Sequence, residues 1–327
     1  VELKAYNYYI KEESIIITIM IDFFYQLIRT ARPRQWLKNF AIFAPALILG
    51  DITEISIINK LLNGFLAFSL MSSGAYFIND IVDAPKDSLH PIKKNRPIPS
   101  GKLRVWLAFL ASLILIISSI FYSFTYNGNF FSYILITYFT IQILYSFLLR
   151  NIIILDSLTV ASGFVLRVIA GGVLIESSIS SWLILTTIAL SLLLAFGKRR
   201  SEKTILSETK TNAETRVTLK SYPDNLLDSM ITMSATFCIV SYSFFTFQVS
   251  PESGIANLKR FLPASIDSPK WLMFTIPLVI YGIARYLYVI YEKKEGESPE
   301  RVLLSDKPLL TSVLVWIIFV FLVNNIL

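Results

Sequence analysis

Apolar residues fall along this chain in blocks of about twenty, divided by polar stretches. Nine such blocks lie at 38–57, 60–79, 104–125, 130–150, 155–175, 181–197, 228–249, 270–291 and 308–326. Each is of spanning length, or close to it, for a helix rising ~1.5 Å per residue through a hydrocarbon core of roughly 30 Å. The pattern predicts an all-α polytopic membrane protein of nine transmembrane helices. Pro45 predicts a kink in the first. The links after spans one, three and five are short, and those after spans two, six and eight are longer and polar. An earlier apolar run, Ile15–Ile28, is interrupted by Asp22 and lacks small cleavage-site residues. Residues 1–28 therefore read as an interfacial N-terminal helix rather than a span or a cleaved signal. No short-period repeat is visible, so 1–327 reads as a single transmembrane domain.

Composition agrees. Of 327 residues, 54% are hydrophobic and only 16% charged, and the mean hydropathy is +0.60, far from a soluble protein of this size. The single cysteine, Cys238, and the single histidine, His90, exclude an internal disulfide and a thiolate or histidine metal cluster. The net charge of +7 raises nucleic acid as a partner. The basic residues are divided among short loops, which excludes a nucleic-acid groove and sets topology instead. With the N-terminus in the cytoplasm, the loops after even-numbered spans carry Lys86, Lys93, Lys94, Arg96, Arg150, Lys198, Arg199, Arg200 and Lys293 among others. The opposite side holds Lys60, Lys259, Arg260 and Lys270. That asymmetry predicts a multi-pass protein of the cell membrane with its polar mouth facing the cytoplasm.

Two acidic clusters fall on that same side. Asn79, Asp80, Asp83 and Asp87 end span two, and Asp224 and Asp228 begin span seven. On a helix the first set lines one face. Like charges so placed repel and are costly to desolvate, and a divalent cation removes both objections, Mg²⁺ suiting hard carboxylates best. A solvated helix end and an N-terminal cap at Asp224 are the plainer readings. Pro85 predicts that the helix stops near Ala84, leaving Asp87 in a turn.

Cations surround these acids. The segment from His90 to Gly101 holds Lys93, Lys94 and Arg96 in a proline-stiffened loop, with Arg96 suited to fork onto phosphate oxygens. Arg32, Arg34 and Lys38, with Trp36 and Asn39, precede span one as an interfacial anchor or a grip on a lipid phosphate. Lys198 and Arg199 close span six, as a phosphate contact or a stop-transfer block. Arg167 lies within span five, where an arginine marks function. Gly163, Gly171 and Gly172 around it permit close helix approach.

The Asn79–Asp87 cluster resembles the NDxxDxxxD signature of the UbiA superfamily of membrane prenyltransferases. A finer resemblance is to its polyprenyl-phosphate phosphoribosyltransferase branch. It is carried by RPRQWLKN at Arg32–Asn39, HPxKxxRPIxSG ending at Gly101, GFVLRVIAGG at Gly163–Gly172 and GKRRSE at Gly197–Glu202. Tyr222 with Leu227, and Arg285-Tyr286 followed by Glu297–Asp306, add to it. Pro85, Arg200 and the pair Asp224 and Asp228 depart from the branch's pattern.

The resemblance implies nine helices around a central cavity with two Asp-rich motifs at its cytoplasmic mouth. It implies Mg²⁺-dependent transfer of 5-phosphoribose from phosphoribosyl pyrophosphate (PRPP) to a membrane polyprenyl phosphate. Asn79, Asp80, Asp83 and Asp87 then hold metal and leaving diphosphate, and Asp224 and Asp228 a second metal or the ribose hydroxyls. Lys93, Arg96, Lys198 and Arg199 contact donor phosphates. Arg32, Arg34 and Lys38 hold the lipid phosphate or share in donor binding, Arg167 reaches the cavity, and Asn39 and Tyr222 join the substrate site. The alternative within the superfamily moves an isoprenyl group from its diphosphate to an aromatic or lipid acceptor. A transporter of nine helices is disfavoured, because the carboxylates cluster at one mouth rather than at midplane. Association of identical chains stays open.

Overall fold

A computed structural model describes residues 17–18, 20–89, 93–209, 221–250, 270–293 and 299–325, for 205–209 the backbone alone. Residues 1–16 of the predicted N-terminal region, His90 of the basic loop and residues 251–269 of the loop after span seven lie outside the described residues. Eleven α-helices are described: α1 (20–31), α2 (Ala44–Leu49), α3 (Ile55–Asp87), α4 (Val105–Tyr126), α5 (Asn129–Phe147), α6 (Leu155–Leu174), α7 (Ser181–Thr209), α8 (Asp224–Val249), α9 (Ile276–Tyr288), α10 (Pro299–Ser305) and α11 (Lys307–Asn325). Eight stretches are long and apolar enough to cross a membrane: α3 to α8, Trp271–Lys293 around α9, and α11. The chain is a multi-pass integral membrane protein.

The predicted first span is corrected. Residues 38–57 are not one helix. A 3₁₀ segment, Pro33–Phe43, leads into the short α2, and Gly50, at φ 83°, turns the chain into α3. Prolines at the start of each piece and a left-handed glycine prevent a continuous α-helix. The pieces still traverse the bundle. Lys38 near their start faces Glu300, which precedes α11, while Asn324 near the end of α11 donates to the carbonyl of Ile48 at 2.7 Å. Eleven 3₁₀ residues at ~2.0 Å each and six α residues at ~1.5 Å reach about 31 Å.

Burial separates centre from periphery. In the most apolar window of α3, 61% of residues are buried against protein, against 22% for α4 and α11. Phe109, Ile117 and Phe121 of α4 and Phe130 and Tyr133 of α5 are exposed instead, as lipid-facing side chains are. Where α4 packs on α3, Ser112 and Ser119 donate to the carbonyls of Gly74 (2.9 Å) and Ala67 (2.7 Å), the small-residue packing expected where water does not drive helices together. Helix α1 sets Phe23, Leu27 and Ala31 on Phe77, Ile98 and Leu103 and exposes Ile21, Phe24 and Ile28, which fits a helix lying in the membrane interface.

Helix α6 explains why its block carries both an arginine and a glycine. Arg167 and Gly171, one turn apart, meet the 3₁₀ segment together. Arg167 Nε donates to Asn39 at 2.7 Å, and a Cβ on Gly171 would stand 2.0 Å from the backbone oxygen of Ile42. Gly171→Ala therefore forces backbone apart, at the upper end of the ~1–3 kcal/mol range for overpacking and against a helix-propensity gain of ~1 kcal/mol. A lower thermal-unfolding midpoint in detergent is expected; an unchanged one contradicts this contact.

Candidate active site

The acidic ladder stands at the C-terminal end of α3. The expected helix end at Pro85 is corrected. Pro85 lies inside α3, the helix runs on to Asp87, and the Ser88 amide still reaches Ala84 O at 3.1 Å. Asp80, Asp83 and Asp87 thus keep helical spacing. Each is met by a guanidinium. Arg32 Nη2 donates to Asp80 Oδ1 at 2.5 Å. Arg96 Nη1 donates to the same oxygen at 3.2 Å and to Asp87 Oδ2 at 2.5 Å. Arg150 pairs with Asp83 Oδ1, whose other oxygen accepts from Asn79 Nδ2 at 3.2 Å.

These pairs take one oxygen each of Asp80 and Asp87. Among the described residues no three acidic, histidine or cysteine side chains already converge on one point. The donor set nonetheless suits a hard cation: oxygens alone, on one helix face, with Asp80 Oδ2 and Asp87 Oδ1 outside these hydrogen bonds.

Arg150 comes from the short connection between α5 and α6, and that connection is pinned from behind. Ile154 there has φ 70°, an unusual value for a β-branched residue. Its amide donates to Tyr222 Oη at 2.6 Å, and Tyr222 donates to Asp156 Oδ1 at 2.6 Å. Asp156 is fully buried and also accepts from Arg199 Nε at 2.7 Å. Arg199 reaches on to Glu202 (2.6 Å) and Tyr145 (3.2 Å). Burial, then the hydrogen bond to Asp156, pushes the Tyr222 phenol up to about 12, so it stays a donor across the physiological range. Tyr222→Phe takes the partner from the Ile154 amide and one donor from the buried Asp156 carboxylate, at about 1–3 kcal/mol. The thermal midpoint is expected to fall, with no pH dependence of the deficit between pH 6 and 9; wild-type stability contradicts this role.

The second acidic pair has partners of its own. Arg200 holds Asp228 (Nε, 2.8 Å) and Lys203 holds Asp224 (2.9 Å), while Tyr291 donates to Asp228 at 2.8 Å. Asp224 is 54% exposed. The Lys203 hydrogen bond, against a small opposing burial, is part of a surface pairing between α7 and α8. Arg200, which departs from the family pattern, is the residue that neutralises this pair.

Deeper in the bundle several of the remaining predicted residues gather in a polar cluster. Arg32 stacks on Tyr76 at 5.2 Å, and Tyr76 lies within electrostatic reach of Arg167, Asp80 and Glu300. Lys38 is 3.8 Å from Glu300. Arg167 is caged: besides Asn39 it donates to Gly163 O (2.7 Å) and Tyr138 Oη (3.1 Å), with its guanidinium over the Tyr138 ring at 4.7 Å. Asn39 is buried and also donates to Ser69 at 3.0 Å. Burial alone would raise the Glu300 carboxyl; Lys38, with the local amide and Gln35, outweighs it and holds the group below its ordinary value. Lys93 sits half-buried in a 3₁₀ turn, and Lys198 lies 3.8 Å from Glu202. Arg34 is exposed and has no ion pair among the described residues.

Reading the sequence missed Asp156, Glu300, Gln35 and Tyr76, and took Arg150 only as a topology signal. An acid at the start of an apolar span, as Asp156 is, carries a usable signal; Gln35 lies within the RPRQWLKN block, and Tyr76 carries none.

Comparison with known proteins adds the following. The model of the UbiA prenyltransferase family matches residues 19–200. Decaprenyl-phosphate phosphoribosyltransferase of Mycolicibacterium smegmatis is 33% identical over 295 residues, 89% of this chain and 90% of that protein. The protein of the same name from Corynebacterium glutamicum is 32% identical over 89% of this chain and 84% of its own length. Among solved structures, a UbiA homolog from Archaeoglobus fulgidus bound to GPP and Mg²⁺ superposes with a TM-score of 0.65 at 17% identity, covering 91% of this chain and 99% of that one. That last likeness is one of fold.

Proposed function

The chain belongs to the UbiA prenyltransferase family, and within this family of membrane transferases we propose that it moves 5-phosphoribose from PRPP to a membrane polyprenyl phosphate. A phosphate oxygen of the lipid attacks the anomeric carbon of PRPP. The bond from that carbon to the diphosphate breaks, and pyrophosphate leaves. The nucleophile is already an anion, so no dedicated general base is required.

The observation that carries this reading is a set of part-exposed cations, two of them on the acidic ladder itself. Arg32, Lys38 and Arg96 keep 25–28% of their side-chain surface and Lys198 keeps 39%. They suit a donor with phosphate at both ends and an acceptor that brings a third phosphate. The names of the relatives, which match nearly the whole of both chains, support the same choice. Asn79, Asp80, Asp83 and Asp87 would hold Mg²⁺, which when bound offsets charge on the departing diphosphate. Arg150 and Arg199, with 9% and 4% of their side chains exposed, are positioning residues in this reading, as is the caged Arg167. The excess of Lys and Arg at the ladder's end supports a cytoplasmic mouth in the cell membrane.

Membranes containing the chain, given Mg²⁺ and either labelled PRPP or labelled geranylgeranyl diphosphate, separate the two readings. Label from PRPP is expected in the lipid fraction. Transfer from the isoprenyl diphosphate alone would instead make this an ordinary prenyltransferase.

A further inference from the structure

One carboxylate among these cations sits where anion binding would not want it. Glu300 faces Lys38, lies within electrostatic reach of Lys198 and Tyr76, and is held ionised. A negative charge there weakens the capture of phosphates unless it serves an uncharged part of the substrate.

Its hydrogen bonding is incomplete. Gln35 Nε2 donates to Oε1. Oε2 is buried and has no hydrogen-bond donor; Lys38, at 3.8 Å, is an ion-pair neighbour beyond hydrogen-bond range. A buried, ionised acceptor without a donor is costly. Tyr286 Oη, also buried and unpartnered, is within electrostatic reach of the same carboxylate. An empty acceptor within electrostatic reach of an unused phenol suits a polyol, whose hydroxyls donate to one and accept from the other.

Resting on the proposed reaction, we infer that Glu300, supported by Gln35 and Tyr286, is the hydroxyl-recognition site that takes the 2,3-diol of the donor's pentose. The donor's phosphates match the cations, and a polyprenyl phosphate carries no hydroxyl, so the diol is the one substrate group that wants a carboxylate. The role that the sequence offered to Asp224 and Asp228 passes, in this reading, to a residue set among the cations. Glu300 is then a specificity determinant between pentosyl and prenyl diphosphates, since the latter leave this acceptor bare.

The test compares kcat/KM for PRPP with that for its 2-deoxy and 3-deoxy counterparts, using the full chain with polyprenyl phosphate and Mg²⁺. Wild type is expected to favour PRPP by about tenfold or more over at least one of them. In Glu300→Ala that preference collapses towards one. Glu300→Gln, which keeps an acceptor oxygen, retains part of it, and Tyr286→Phe narrows it as well. A merely structural ion pair with Lys38 lowers activity without changing the ratio. Undiminished preference in the Glu300 variants, or no preference in wild type that does use PRPP, overturns this site alone. Wild type that moves nothing from PRPP overturns the parent reading and this site with it.

Discussion

Asp83→Asn should lower turnover by roughly two to three orders of magnitude while the protein still inserts and folds. Asparagine keeps the size of the side chain and one acceptor oxygen but removes the charge. What it loses distinguishes two roles. If Asp83 serves only to pair with Arg150, then Arg150→Gln must be as damaging. If Asp83 serves a cation and a departing diphosphate, Arg150→Gln leaves the carboxylate in place, beside the same Asn79 that donates to it at 3.2 Å. Turnover then falls by about tenfold or less. Assays of both variants against Mg²⁺ concentration decide the matter. Wild-type activity in Asp83→Asn, or equal losses in the two variants, contradicts the ladder's role.

Arg167→Lys should cost about 3 kcal/mol or more of stability, although the charge is conserved. The guanidinium spends three donor directions on three elements: Asn39 in the 3₁₀ segment, Tyr138 on α5 and Gly163 within α6. A hydrogen bond from a charged group is worth about 1.5–3 kcal/mol, and a lysine ammonium cannot reproduce a planar fork or its stacking on Tyr138. The bond to Asn39 ties the first, broken crossing to α6 and that to Tyr138 ties α5 to it, so the loss is felt in the polar cluster as well as in the core. Thermal unfolding in detergent should show a markedly lower midpoint for Arg167→Lys, with Asn39→Ala falling in the same direction. A midpoint equal to wild type contradicts the cage.

The membrane crossings were legible because length and hydropathy suffice for a straight helix; segment 130–150, for example, differs from Asn129–Phe147 by a few residues. The first crossing was misread because a 3₁₀ piece covers the bilayer with fewer residues, and residue count is all that a hydropathy block records. Pro85 was misread for a related reason. Its missing amide frees one carbonyl, on Ile81, close to the end of α3, where the helix survives the loss.

In the site, the local part was readable. Asp80, Asp83 and Asp87 are placed by helix periodicity alone. Their counter-charges were not, because Arg32 is 48 residues from Asp80 and Arg150 is 67 from Asp83. The pairing of Asp156 with Arg199 and Tyr222 is equally non-local. Spacing offered Asp224 and Asp228 as a second pair on the same side, and only packing shows that Arg200 and Lys203 hold them.

The most direct test is the mass of the lipid formed by the purified full chain from polyprenyl phosphate, PRPP and Mg²⁺. The account predicts a product heavier by one phosphoribosyl unit, with an equal amount of pyrophosphate released and neither formed when the metal is chelated. An unchanged polyprenyl phosphate, or a product that gained an isoprenyl chain when an isoprenyl diphosphate was supplied instead, would contradict it.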